Sequence, residues 1–112
     1  MDRMQTERDD SLKAHLATKV MGRREGARSP SGARVWIDDA TGGAYYDSSL
    51  DSWADAGKAW EKAREMGIVI SLTGAPLAPW MAQTISHDSK DASGPRAICE
   101  AVAMVTGWEE PQ

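Results

Sequence analysis

Three stretches of this chain repeat apolar residues at helical spacing, and each runs into a glycine. Leu12, Leu16 and Val20, with Ala17 and Met21 widening the stripe, precede Gly22. Trp53, Ala56, Trp60 and Ala63 precede Gly67, and Ala97, Ile98, Ala101, Val102 and Val105 precede Gly107. Steps of three and four residues put side chains on one helix face, and glycine takes the left-handed conformation that ends a helix. The pattern predicts a first helix from an N-cap at Ser11 to about Met21. It predicts a second from about Leu50 to Met66, with Asp47, Ser48, Ser49 and Asp51 as candidate caps, and a last one that opens at Pro95.

Between the helices lie two strand pairs. "RVWID" and "AYYDS" alternate apolar and polar residues around "DATGG", a hairpin in which Gly42-Gly43 supply positive φ. "IVISL" is short, β-branched and apolar, the pattern of a central strand, and after "TGAPLAP" the segment "WMAQTIS" is a further strand. "RREGARSPSGA" and "HDSKDAS" read as loops. The order α-β-β-α-β-β-α predicts an α+β domain, a mostly antiparallel four-stranded sheet with helices packed against it. Residues 1–10 are polar and expected to be disordered, and 11–108 form the single domain that 112 residues allow.

The apolar residues are unusual in kind, with five Trp and six Met but no Phe. Indoles favour sites where the N–H finds a partner, so some Trp surface is expected at a pocket rim or a contact between copies, and the chain is expected to be a homo-oligomer. Trp53, Trp60 and Trp80 are the residues for core or oligomer contacts. The net charge of −4 argues against non-specific nucleic-acid binding. Residues 19–34 depart from this balance, with Lys19, Arg23, Arg24, Arg28 and Arg34 against Glu25 alone, a local +4 (five minus one). No stretch is long and apolar enough to span a membrane, and the charged first residues are not those of a signal peptide.

Three segments carry a resemblance. "LATKVMG" (16–22), "SWADAGKAWEKA" (52–63) and "GPRAICEAV" (94–102) resemble the small phage-encoded proteins of the phage ABA sandwich domain family. The shared features fall on Val20-Met21-Gly22, Ala59-Trp60 and Pro95 to Cys99. The chain departs from the family in placing Arg23-Arg24 where an aromatic residue follows the Val-Met-Gly turn. The resemblance implies a phage accessory protein of the host cytoplasm, and with it no established activity, no catalytic residues and no cofactor.

Catalytic chemistry has little to stand on. His15 and His87 lie on different elements without a neighbour at metal-ligand spacing, and Cys99 sits in an apolar run that makes it a packed thiol. The acidic pairs Asp9-Asp10, Asp38-Asp39 and Glu109-Glu110 are adjacent rather than convergent. Binding has more. At the last helix Ser93 and Gly94 leave the backbone approachable, Pro95 presets the first turn, and Arg96 adds a bidentate charge to the positive end of the dipole. The alternative is plain capping by Ser93. Arg23, Arg24, Arg28 and Arg34 offer phosphate contacts, and Trp36, Tyr45 or Tyr46 an aromatic face for a base. The expectation is a non-enzymatic binder of a small anionic or nucleotide-type ligand. Small phage proteins that sequester host nucleotide immune signals extend it by analogy of size and origin. The alternative is a protein–protein module, an oligomer or an inhibitor of a host factor.

Overall fold

A computed structural model describes residues 3–47, 49–75 and 78–110, and it is α+β. Ser48, expected as a cap, and part of the 73–79 loop lie outside the described residues. The first helix, α1, spans Arg3–His15 and continues without a break into a π-helical turn, Leu16–Val20. The expected stripe is there, for Leu12, Leu16, Ala17 and Val20 are all buried. The expected disorder of 1–10 is corrected from Arg3 onward. The segment contains neither Gly nor Pro, and long-range ion pairs of Arg8 and Asp9 tie it to the last helix.

Three strands follow, β1 Arg24–Glu25, β2 Val35–Asp38 and β3 Gly43–Tyr46, in a meander of order β1-β2-β3. Trp36 pairs with Tyr45 in the hairpin and with Glu25 on the other side. Of the two turn glycines, Gly42 alone takes the left-handed conformation, at φ 75°. Helix α2, Trp53–Glu65, is capped by Ser52, whose Oγ accepts the Asp55 N–H at 3.3 Å. Gly67 ends it at φ 82°, as its place after the stripe predicts.

A second meander, β4 Ser71–Ala75, β5 Ala78–Gln83 and β6 Asp88–Asp91, has the order β4-β5-β6. The single four-stranded sheet of the sequence reading is therefore replaced by two three-stranded antiparallel sheets. The two added strands, β1 and β6, contain no apolar residue, so no hydrophobic alternation marks them; they are held by backbone pairing at a sheet edge. "IVISL" is also displaced. Ile68–Ile70 lead out of α2, the strand begins at Ser71, and β4 is an edge, while β5 takes the central place.

The last helix, α3, spans Gly94–Val105 and is buried along most of its length, packed against α2 on one side and across β5 and β6 on another. Ala56, Ala59 and Ala63 line the inner face of α2, and Ala97, Ala101 and Ala103 are equally buried on α3. Small residues on both helices allow close approach, and Ile98 and Val102 supply the larger volume. At the start of α3, Gly94 is buried under two indoles: a Cβ there would strike Trp53 and stand 3.2 Å from Trp80 Cδ2. Trp53 and Trp80 meet edge to face, 5.5 Å between centroids. The glycine is required by tryptophan packing.

Candidate functional site

The ordinary fate of an arginine in this protein is a carboxylate. Arg8 bonds Glu100 at 3.1 Å and Glu110 at 2.7 Å. Arg24 grips Asp39 at 2.9 Å, and Arg34 holds Asp47 at 3.1 Å and lies 3.9 Å from Asp10. Arg28 turns back on its own loop, donating to the Gly32 carbonyl at 2.9 Å. Arg96, at the N-terminal end of α3, is paired twice, with Asp9 at 2.9 Å and Asp51 at 3.4 Å.

The positive end of α3 thus already holds an anion of the chain's own. The Asp51 carboxyl is held below its usual range by the Ser93 hydroxyl first and the Arg96 guanidinium second. Ser93 Oγ accepts the Arg96 N–H at 3.3 Å as a helix cap, and the Ser93 N–H goes to Asp91 at 2.9 Å. With Gly94 under Trp53 and Trp80, these three residues act in packing and capping. Arg34 and Arg96 do converge, since both reach α1 at its adjacent Asp10 and Asp9.

Arg23 is different. Its guanidinium lies 3.8 Å over the ring of Tyr45, and its Nε is shielded from solvent without a hydrogen-bond partner. No carboxylate lies within ion-pair distance among the described residues. Two local features put it there. The π-helical turn closes with Met21 N–H on the Leu16 carbonyl at 2.8 Å, and Gly22 at φ 71° folds the chain so that the Arg23 N–H reaches the Ala17 carbonyl, also at 2.8 Å.

Arg23 borders a cavity of about 110 Å³ between the end of the first helix, the first sheet and α2. Leu16, Met21, Ala59 and Cys99 form its apolar wall, and Tyr45, Tyr46, Asp47, Asp55 and Lys58 its polar one. Asp47 is already engaged: Trp36 Nε1 donates to it at 2.6 Å and Arg34 from two nitrogens. Asp55 receives the Ser49 N–H at 2.7 Å on Oδ2. Lys58 is exposed and has no ion pair among the described residues. Burial, aided by the nearby Asp55 charge, pushes the Cys99 thiol up to about 12, so a neutral sulfhydryl faces the cavity.

Of the residues predicted from sequence, the cavity brings Arg23 and Tyr45 together, with Tyr46 beside them. Arg24, Arg28, Arg34, Arg96, Ser93 and Gly94 have the partners given above. Trp36 is 2% exposed and cannot offer a face to a base, which corrects its proposed stacking role. Asp47, Asp55 and Lys58 were not foreseen. Asp55 and Lys58 flank the buried stripe of α2, and that border position was the available signal.

Histidines add nothing at the cavity. His15 shares a 2.7 Å hydrogen bond with Thr106, and His87 one of 2.8 Å with Ser86. Burial first, and Lys19 second, lower the His15 pKa from its ordinary value. Among the described residues no three His, Cys, Asp or Glu side chains converge as metal ligands, and no helix is long and apolar enough to cross a membrane.

No family model, curated protein or solved structure matches the chain. Fold and cavity define a small α+β protein with a half-buried arginine, without an ion-pair partner among the described residues, at a partly enclosed hollow of mixed polar and apolar lining. Larger hollows exist and are more open: two, of about 490 and 480 Å³, share the apolar residues Ile68 and Val69, and one of about 420 Å³ is lined by Glu61, Arg64 and Glu65 on the exposed face of α2.

Proposed function

We propose that this protein is a non-enzymatic binder of a small anionic ligand, held at the Arg23 cavity. The phage accessory role implied by the resemblance, sequestration of a small host signal, is part of this reading. One observation carries it. A buried guanidinium Nε without an acceptor costs about 1–3 kcal/mol; stacking on Tyr45 supplies no hydrogen-bond acceptor, and a bound oxyanion would. Lys58 adds a second cation at the rim, and the neutral Cys99 gives the site no nucleophile.

The volume sets the scale of the ligand. At roughly 30 Å³ per water, the cavity holds about four waters, well below the ~300 Å³ of sites that enclose a drug-sized molecule. It takes an oxyanion or a carboxylate with little attached, and the rest of any larger ligand lies outside over Tyr46, which is 66% exposed.

Thermal-shift titration with phosphate, acetate and linear and cyclic nucleotides tests the reading. A ligand at a hundredfold excess over Kd stabilises by about 2.7 kcal/mol, a rise in Tm of roughly 10 °C or more for a chain of this size. The shift is expected to vanish in Arg23→Ala and to persist in Arg24→Ala, whose arginine is exposed and paired with Asp39. No shift with any anion sinks the reading.

A second reading, a protein–protein module that forms a homo-oligomer, has its own observation. Val69 is 79% exposed and Ile85 fully so, and two open apolar hollows meet at Ile68 and Val69. Sedimentation over a wide concentration range tests it: self-association abolished by a Val69→Lys, Ile85→Lys double variant supports it, and a monomer throughout removes it.

A further inference from the structure

The Arg23 cavity carries charge of both signs, and we propose that its ligand is a zwitterion, a free α-amino acid the size of glycine, alanine or serine. Its carboxylate lies on Arg23 and its ammonium on Asp55. This rests on the reading of Arg23 as an anion-binding group and says which anion it takes.

Two unpaired charges of opposite sign line one small space. Arg23 has no carboxylate among the described residues, and Asp55 has no cation within ion-pair distance there. Asp55 Oδ2 accepts one backbone N–H, while Oδ1 receives no hydrogen bond among the described residues. A carboxylate in a partly enclosed site gains most from an ionised donor, and an ammonium offers three. Asp47 is the weaker partner for an ammonium, because Arg34 already meets its charge and it accepts three hydrogen bonds.

The same acids disfavour phosphate. A phosphate group carries more than one negative charge near neutrality and would stand beside Asp55, which has no cation of its own among the described residues, while Arg34 offsets Asp47. A monovalent carboxylate needs only Arg23, and its planar pair of oxygens matches a guanidinium fork. Lys58, exposed and on the same helix one turn after Asp55, lines the cavity without forming an ion pair with Asp55 among the described residues.

Size and lining agree. About 110 Å³ is the scale of a glycine- to serine-sized molecule, and a longer side chain would have to extend outside over Tyr46. Leu16, Met21, Ala59 and Cys99 form an apolar floor for a methyl or hydroxymethyl side chain, and the neutral thiol brings no third charge.

Calorimetric titration of the intact protein with glycine, L-alanine and L-serine, against acetate, methylammonium, phosphate and adenosine monophosphate, tests the proposal. One of the three amino acids is expected to bind about tenfold or more tightly than acetate, the gain from one charged hydrogen bond. Asp55→Asn, which keeps an acceptor for the Ser49 N–H, is expected to abolish that preference and leave acetate binding intact. Arg23→Gln is expected to abolish both. Acetate or phosphate binding as tightly as every amino acid overturns the zwitterion and leaves the anion reading standing. A preference that survives Asp55→Asn also overturns it. Absence of binding by any probe overturns both, and the comparison of ligands on the unmodified protein holds even if a variant fails to fold.

Discussion

Replacing Arg8 with alanine is expected to lower the unfolding free energy by about 3 kcal/mol, a fall in Tm of roughly 10–20 °C. Arg8 bonds two carboxylates of very different exposure: the Glu100 side chain is 7% exposed and that of Glu110 is 54%. Glu100 also accepts from Ser89 Oγ at 2.8 Å, so the buried end is a three-member network. Truncating Arg8 leaves the Glu100 carboxylate buried with one neutral donor, the configuration that makes a broken internal ion pair cost about 3–5 kcal/mol. Arg8 is itself 21% exposed, and water reaching the gap moves the figure to the lower end. The stacking of its guanidinium 5.3 Å from the Trp108 ring is lost as well. Glu110→Ala serves as the contrast, with a change of about 0.5 kcal/mol or less. Adding Glu100→Gln to Arg8→Ala is expected to restore much of the loss, because the buried charge is then gone. Equal effects of Arg8→Ala and Glu110→Ala in urea denaturation discard the argument.

Asp47→Ala is expected to cost about 3 kcal/mol and to remove ligand binding with it. Asp47 takes the indole N–H of Trp36, the innermost residue of the first sheet, together with a fork from Arg34. Each donor left buried and unpaired costs about 1–3 kcal/mol, and Arg34, lying 5.1 Å over the Trp36 ring, loses the charge that holds it there. Trp36 is the one strand residue of the first sheet that is buried, and this carboxylate fixes its indole together with Arg34. Asp47→Asn keeps an acceptor for the indole and is expected to cost about half as much. Tryptophan fluorescence during denaturation reads the change, and an Asp47→Ala variant within about 0.5 kcal/mol of the parent discards the account.

The parts of the fold legible in the sequence are those stabilised by local pattern. The stripes of the first and last helices, Ala56 and Ala63 in that of α2, Ser93 as a cap, the glycines that end the helices and the first hairpin follow from spacing and residue type. Trp53, expected in the α2 stripe, is exposed, and Ala59 takes a buried place there. What escaped is held by contacts far apart in the chain. Residues 3–10 carry no apolar stripe, and their helix depends on Arg8 and Asp9 meeting residues of α3. The polar strands β1 and β6 owe their place to backbone pairing, which leaves no periodic trace. The candidate site divides the same way. Arg23 and Tyr45 were visible as residue types in a basic, aromatic neighbourhood. That Arg24, Arg34 and Arg96 are each neutralised, and Arg23 is not, depends on where Asp39, Asp47, Asp9 and Asp51 fall in space.

The π-helical turn at Leu16–Val20 bears on how this site can change. Such a turn fits one residue more than the α-helical turn it replaces, so the bulge absorbs that residue and the turns on either side keep their phase. Deleting one position within Leu16–Val20 would rewind the segment to a regular helix with Leu12 and Arg23 still on their faces. Deleting one position in the regular part of α1 has no such buffer: each residue advances the chain by about 100°, and everything beyond would turn by more than a quarter of a circle. The aim of the guanidinium is therefore a matter of phase, and the π-helical turn is a place where the first helix can change length without changing it.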